Sequence, residues 1–380
     1  MMKLFWINRF LIIVFLLQSS IVFGQEIKKE RQFRFIDIKY HTGSHYYSGE
    51  NLIDVLNNGY NAVEARYGWQ SNNREGWQGA WLYPAYGFGW YNGFIGDPNV
   101  LGVPSALYGF ISFPVVQLKR HKFVIEPALG LSYDLNPYDP EKNADNDAIG
   151  SRTNVYFNFN LGGQYHLNRE LDIIYGFDLT HFSNGRMKKP NKGLNMIGPN
   201  LGIRYNLNRF QRVVDNSLTP DNILDVRNES PSRKGEKVRK NRFLFYAAGG
   251  IVQDDEDIGN KKHYGTFSST MEYQYAYTEK SAFTGGLDFF YDWSLKNKFP
   301  NQSYDFYGVH IGYDMTFWKL MLRIQAGTYI DKKGHDYKGD FFIRPALLFE
   351  FAKPAFFQLG LKTENGFIAD WIEFGFGIRI

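Results

Sequence analysis

The chain has 380 residues, with 26 Tyr, 34 Phe, 8 Trp and 38 Gly, no cysteine and a net charge of +4, yet its mean hydropathy is only −0.39. The missing cysteine excludes disulfide and thiolate chemistry, and the small, dispersed charge argues against nucleic acid as a partner. An aromatic-rich, glycine-rich and modestly hydrophobic chain suits β-structure whose alternate residues meet different solvents, rather than a bundle of membrane helices.

Residues 1–24 open with cations, continue as the apolar run LIIVFLL and end in Val22 and Gly24. That pattern predicts a secretory signal peptide cleaved before Gln25; the run is too short and interrupted for a spanning helix. Strand-like segments then recur at 31–42, 59–69, 84–93, 105–116, 122–134, 153–166, 170–183 and 194–207. Eight more follow at 242–253, 264–276, 281–293, 304–317, 320–331, 341–352, 355–363 and 369–380. Many hold about ten residues, the length a tilted strand needs to cross a bilayer.

Loop lengths alternate along the same walk. HLNRE (166–170), TEK (278–280), WK (318–319) and AKP (352–354) are tight, whereas NPYDPEKNADNDAIGSR (136–152), DDEDIGNKKH (254–263) and DKKGHDYKGD (331–340) are long and polar. Short turns on one rim and long loops on the other are the habit of outer-membrane barrels, and an even strand count puts both termini on the short-turn, periplasmic rim. A charged stretch at 208–241 separates a half spanning 25–207 from a half spanning 242–380. Two internal likenesses hint at a degenerate repeat: FVIEPALGL (123–131) with FIRPALLFEF (342–351), and LNMIGPNLGIRY (194–205) with IEFGFGIRI (372–380). The expected architecture is an all-β transmembrane antiparallel barrel of about 16 strands in two eight-strand halves, with one continuous barrel favoured over two in tandem.

Period-two alternation identifies the two faces. In 171–183 the odd positions Leu171, Ile173, Tyr175, Phe177 and Leu179 are apolar, against Asp172, Gly176, Asp178 and Thr180. The next strand sets Ile197, Leu201, Ile203 and Tyr205 against Asn200, Gly202, Arg204 and Asn206. A polar set of Gly, Asn, Asp and single charges fits a crowded lumen, so the odd row faces lipid. His181, Ser183 and Asn195 are odd. They therefore gather on the apolar outer wall, where an unpaired polar group costs on the order of a few kcal/mol.

Those three residues suit acyl transfer. A serine hydroxyl needs an imidazole to accept its proton, and the imidazole needs a third group to fix its tautomer. Positions i and i+2 of a strand share a face about 6.5 Å apart, which places His181 beside Ser183; Asn195, at the start of the adjacent strand, can hold the ring. Backbone N–H groups around Asn184 and Gly185, or the Asn184 amide, are candidate oxyanion donors. The loop RMKKPNK adds Arg186, Lys188, Lys189 and Lys192 as candidate ligands for lipid phosphates. His310, between glycines on the inner row, reads as a lumenal hydrogen-bonding group. No HExxH, CxxC, phosphate-cradling glycine loop or G-x-S-x-G elbow is present, and no metal or cofactor is expected.

At these residues the chain resembles the outer-membrane lipid A deacylases, the PagL-like lipid A 3-O-deacylase or acyloxyacyl hydrolase family. The family's His-x-Ser-Asn appears as His181-Phe182-Ser183-Asn184, and its Pro-Asn-x-Gly as Pro190-Asn191-Lys192-Gly193. The resemblance covers roughly 30–207. It implies an eight-stranded hydrolase unit, working without a metal on lipid A in the outer leaflet, with Ser183 as nucleophile, His181 as base and Asn184 at the oxyanion. One position departs from it: Asn195 stands where the family places a glutamate. The second half lacks the motif, LKTENG (361–366) holding neither His nor Ser, and reads as non-catalytic. Alternatives are a porin-like or structural barrel without activity, and an outer-membrane phospholipase.

Overall fold

The computed structural model describes residues 32–71, 76–118, 120–168, 170–207, 237–335, 338–366 and 368–380. The expected signal peptide, and the 208–236 portion of the 208–241 stretch, lie outside them. Sixteen strands follow in chain order: β1 (Gln32–His45), β2 (Tyr60–Ser71), β3 (Ala85–Phe94), β4 (Gly102–Gln117), β5 (His121–Leu135), β6 (Asn154–His166), β7 (Leu171–Ser183), β8 (Leu194–Asn206), β9 (Lys240–Val252), β10 (Tyr264–Thr278), β11 (Ser281–Asp292), β12 (Asp305–Phe317), β13 (Leu320–Asp331), β14 (Phe341–Glu350), β15 (Ala355–Glu364) and β16 (Ile368–Arg379). Each overlaps one of the spans read from the alternation. The single continuous barrel is corrected: β1–β8 and β9–β16 close separately into two eight-stranded barrels. β1 pairs with β8, Tyr40 opposite Leu201, and β16 pairs with β9, Phe376 opposite Ala247.

The inward side chains explain the double closure. A sixteen-strand barrel encloses a wide aqueous lumen, whereas an eight-strand one leaves room for side chains alone. Here the inward rows are bulky and paired. In the first barrel Glu126 accepts from Lys39 at 3.2 Å, Arg66 at 3.1 Å and Asn160 at 3.0 Å. Arg204 grips Asp37 with two bonds of 2.7 and 2.8 Å. Above this layer Tyr91, Tyr108, Tyr156 and Phe182 pack with their rings tilted against one another. In the second barrel His310 lies between Asp288 (2.6 Å) and Glu272 (2.9 Å), and Arg344 reaches Asp288 at 2.6 Å. Such charges are retained in a low-dielectric interior only when each is matched.

The outward rows are apolar: Phe177, Leu179, Leu201 and Ile203 in the first barrel, and Phe283, Leu287, Phe374 and Phe376 in the second, are all exposed. Of the two internal likenesses, the one between β8 and β16 joins equivalent closing strands. The other pairs β5 with β14, which occupy different places in their barrels and run in opposite directions.

The barrels touch at both rims. On the short-turn rim, Trp77 and Phe113 pack on Phe317 of β12. Trp81 Nε1 donates to Thr316 O at 2.9 Å, and Lys280 Nζ donates to Ala80 O at 2.9 Å. On the opposite rim the β7–β8 loop bends onto the second barrel. A lumen filled in this way conducts poorly. Purified protein in planar bilayers is expected to give no large, steady conductance step, and observing one would contradict the filled interior.

Candidate active site

Inward and outward side chains alternate along β7. Asp178 and Thr180 are buried at 2% and 0% exposure, whereas Phe177 and Leu179 are 53% and 39% exposed. His181 continues the outward row and stands directly opposite Asn195 of β8. Its Nδ1 lies 2.7 Å from Asn195 Oδ1. An amide oxygen only accepts, so Nδ1 carries the proton and Nε2 keeps its lone pair. Ser183, two positions on, pairs with Val155 of β6 and is 8% exposed. Among the described hydrogen bonds none joins Ser183 to His181. In a substrate-free site that contact is commonly longer than in the reacting complex.

The β7–β8 loop (184–193) folds back over this pair, and the two halves of its motif hold one another. Asn184 N donates to Asn191 Oδ1 at 3.0 Å. The Asn184 amide donates to Ser151 Oγ and to Lys188 O, both at 2.9 Å, and its oxygen accepts from Lys188 N at 3.2 Å. The Asn184 donors thus reach Asn191 and Lys188 within the loop and Ser151 in the β5–β6 connection. Gly185 N–H, two residues along the chain from Ser183, enters none of the described hydrogen bonds.

Gly193 explains the end of the motif. Its φ is +76°, and a Cβ there would stand 2.9 Å from His181 Cε1 and 3.2 Å from Phe182 O. The backbone therefore passes directly against the imidazole edge, a path open to glycine alone. Gly193 N donates to Ala148 O at 2.9 Å, in the β5–β6 loop. That loop is itself ordered by Asn146, whose amide donates to Asn136 O at 2.7 Å and accepts from Ile149 N at 3.1 Å.

The four loop cations separate into two groups. Arg186 NH2 lies 2.9 Å from Asp292 Oδ2, and NH1 lies 3.3 Å from Asp370 Oδ1; both acids are buried in the mouth of the second barrel. Although burial works against its charge, Asp292 and Asp370 hold the Arg186 guanidinium above its ordinary range. Lys189 pairs with Asp255 of the β9–β10 loop. Lys192 pairs with Asp147 at 2.7 Å and stays about half exposed. Lys188 meets no carboxylate among the described residues. Arg186 and Lys189 thus contact acids of the second barrel, whereas Lys192 pairs within the first barrel and Lys188 is half-buried.

Asp292, Asp370 and Gln253 are the residues that sequence reasoning missed. Asp370 sits in a β-bulge, the register between β15 and β16 slipping from Lys362↔Trp371 to Thr363↔Ala369. Counting by twos from Phe374 and Ile372 would put Asp370 in lipid; the bulge turns it inward beside buried Trp371. A lone acid in an outward row near a strand mouth is the signal that could have found it.

Comparison with known proteins identifies two matching family descriptions. Residues 61–204 match the family described as lipid A 3-O-deacylase (PagL), and residues 241–380 match that described as acyloxyacyl hydrolase, C-terminal domain. No curated protein matches the chain. Among solved structures, Pseudomonas aeruginosa OccK3 (OpdO) aligns at 10% identity and a TM-score of 0.23, over 92% of this chain and 94% of that one. A triple mutant of the Rhodopseudomonas blastica porin aligns at 10% identity and a TM-score of 0.19, over 92% and 100%. At such scores these likenesses carry no weight.

Gly193→Ala is expected to displace the imidazole without unfolding the barrel. In 15N-histidine-labelled protein, the His181 resonances should shift while those of lumenal His41 and His310 stay in place. An unmoved His181 would contradict the close approach.

Proposed function

Because the chain belongs to the lipid A 3-O-deacylase (PagL) family, we propose that it is an outer-membrane esterase that removes an ester-linked acyl chain from lipid A by a serine–histidine mechanism. The observation that carries this reading is the outward placement of His181, its Nδ1 held by Asn195 at 2.7 Å, on the wall that also carries Ser183. The long-loop rim then faces the cell exterior. Acyl chains of the outer leaflet lie against the exposed row of Phe177 and Leu179, and their esters meet the wall where that row gives way to His181 and Ser183.

In this reading His181 Nε2 takes the Ser183 Oγ proton as Oγ attacks the ester carbonyl. Negative charge on the carbonyl oxygen is met by Gly185 N–H. The imidazolium returns its proton to the departing sugar alkoxide, leaving an acyl-serine. Water, deprotonated by the same imidazole, then releases the fatty acid and restores Ser183. Asn195 orients the ring but brings no full charge to the imidazolium. Lys188 and Lys192, at the open edge of the loop, are placed to bind headgroup phosphates.

Lipid A from cells expressing the native chain should lose the mass of one acyl group, and Ser183→Ala should abolish that loss; identical acylation patterns would overturn the assignment. Asn195→Glu supplies the absent counter-charge and is expected to raise kcat about 10-fold or more, since a triad carboxylate is worth far more than its amide. An unchanged or lower kcat would contradict the orienting role given to Asn195.

A further inference from the structure

We propose that the second barrel is the positioning scaffold of the active-site loop, acting through Gln253, Asp292 and Asp370, and that it contributes to turnover rather than to substrate binding. This rests on the esterase reading of Ser183 and assigns a task to a barrel that carries no His-x-Ser-Asn motif.

The contacts converge on the residues that follow the nucleophile. Gln253, fully buried at the end of β9, holds the loop at two points. Its N–H donates to Arg186 O at 3.0 Å, and its Oε1 accepts from Lys189 N at 2.7 Å. Its own amide is fixed by donation to Asp257 O at 2.9 Å and Asn260 O at 3.1 Å. Between these two points the Arg186 side chain leaves the first barrel and enters the mouth of the second. Asp292 is already oriented to receive it, because Ser294 N (2.9 Å) and Ser294 Oγ (2.5 Å) both donate to Asp292 Oδ1, leaving Oδ2 for the guanidinium. Asp370 is held from below by Lys338 at 2.8 Å and Lys362 at 2.5 Å.

Two further features tie this anchor to catalysis rather than to simple cohesion. Gly185 and Arg186 both adopt left-handed backbone, with φ of +60° and +67°. That conformation is uncommon for arginine and persists where surrounding contacts enforce it. The resulting turn packs Gly185, the proposed oxyanion donor, against β16, where a Cβ would lie 2.4 Å from Ile372 Cγ1. Cohesion is supplied separately by the aromatic contacts on the opposite rim. Arg186 stands three residues from Ser183, so its placement sets where the oxyanion donor sits. Displacements of about 1 Å in such geometry can cost on the order of 100-fold in rate.

The experiment measures lipid A hydrolysis by the full chain in detergent micelles for wild type, Arg186→Ala, Arg186→Lys, Asp292→Asn, Gln253→Ala and the Arg186→Ala/Asp292→Asn double variant. Hydrogen exchange of 184–193 is followed in parallel, and heat-modifiable gel mobility reports barrel folding. The expected result is a fall in kcat of about 10- to 100-fold with KM within about 3-fold, and partial recovery in Arg186→Lys. The double variant should be no slower than Arg186→Ala alone, as for two residues acting through one contact. Exchange should rise in the loop and not in the strands. Gln253→Ala repeats the test without leaving a buried charge unmatched, should Asp292→Asn fail to fold. Unchanged kcat in Arg186→Ala and Gln253→Ala would overturn the proposal, as would an effect confined to KM, which would make Arg186 a headgroup ligand. If wild type shows no Ser183-dependent hydrolysis, the esterase reading itself fails. Loop exchange unaltered in the same variants would instead remove the anchor alone.

Discussion

An eight-stranded barrel has no spare interior. Once Glu126, Lys39, Arg66, Arg204 and the Tyr91–Tyr156–Phe182 cluster occupy the lumen of the first barrel, a substrate can be met only on the outer wall or at a rim. Side chains alternate strictly along a strand, so any residue that is to act on lipid must share its parity with the apolar row. His181 and Asn195 do so, and the hydrogen bond between them is the natural contact of two directly opposed cross-strand partners. The site is therefore an interruption of a lipid-facing row by polar groups that satisfy one another.

The second constraint is local. The loop above the site must pass close to an imidazole, place an N–H beside a serine and still satisfy its own polar groups. Gly193 permits the approach, and the bond from Asn184 N–H to Asn191 Oδ1 ties the two ends of the loop. The remaining freedom is taken up by the second barrel, into whose mouth Arg186 is inserted. The tandem arrangement thus combines a wall bearing the polar trio with a neighbour that grips the loop joining β7 to β8.

Much of this was legible in the sequence. All sixteen strands, the outward parity of His181 and the loop motif follow from period-two alternation and from residue types, because those properties are local. The double closure was not legible: whether β8 pairs with β9 or returns to β1 is a long-range choice, decided by whether bulky inward residues such as Tyr91 and Arg204 fill a narrow lumen. The acids of the second barrel that meet Arg186 and Lys189 were not legible either. Nothing in RMKKPNK reveals that Asp292 and Asp370 lie across a barrel–barrel seam, and the bulge at Asp370 breaks the very parity used to find the site. The contact from the Asn184 amide to Ser151, which is 33 residues away, is likewise long-range and was not legible.

The central claim is that Ser183, on the outer wall, is a nucleophile activated by His181. The most direct measurement is peptide mass spectrometry of the folded protein after reaction with a long-chain fluorophosphonate, which adds covalently to activated serines. Modification confined to Ser183, and lost in His181→Ala, is the expected result. A folded protein that stays unlabelled, or that is labelled equally well without the imidazole, would contradict it.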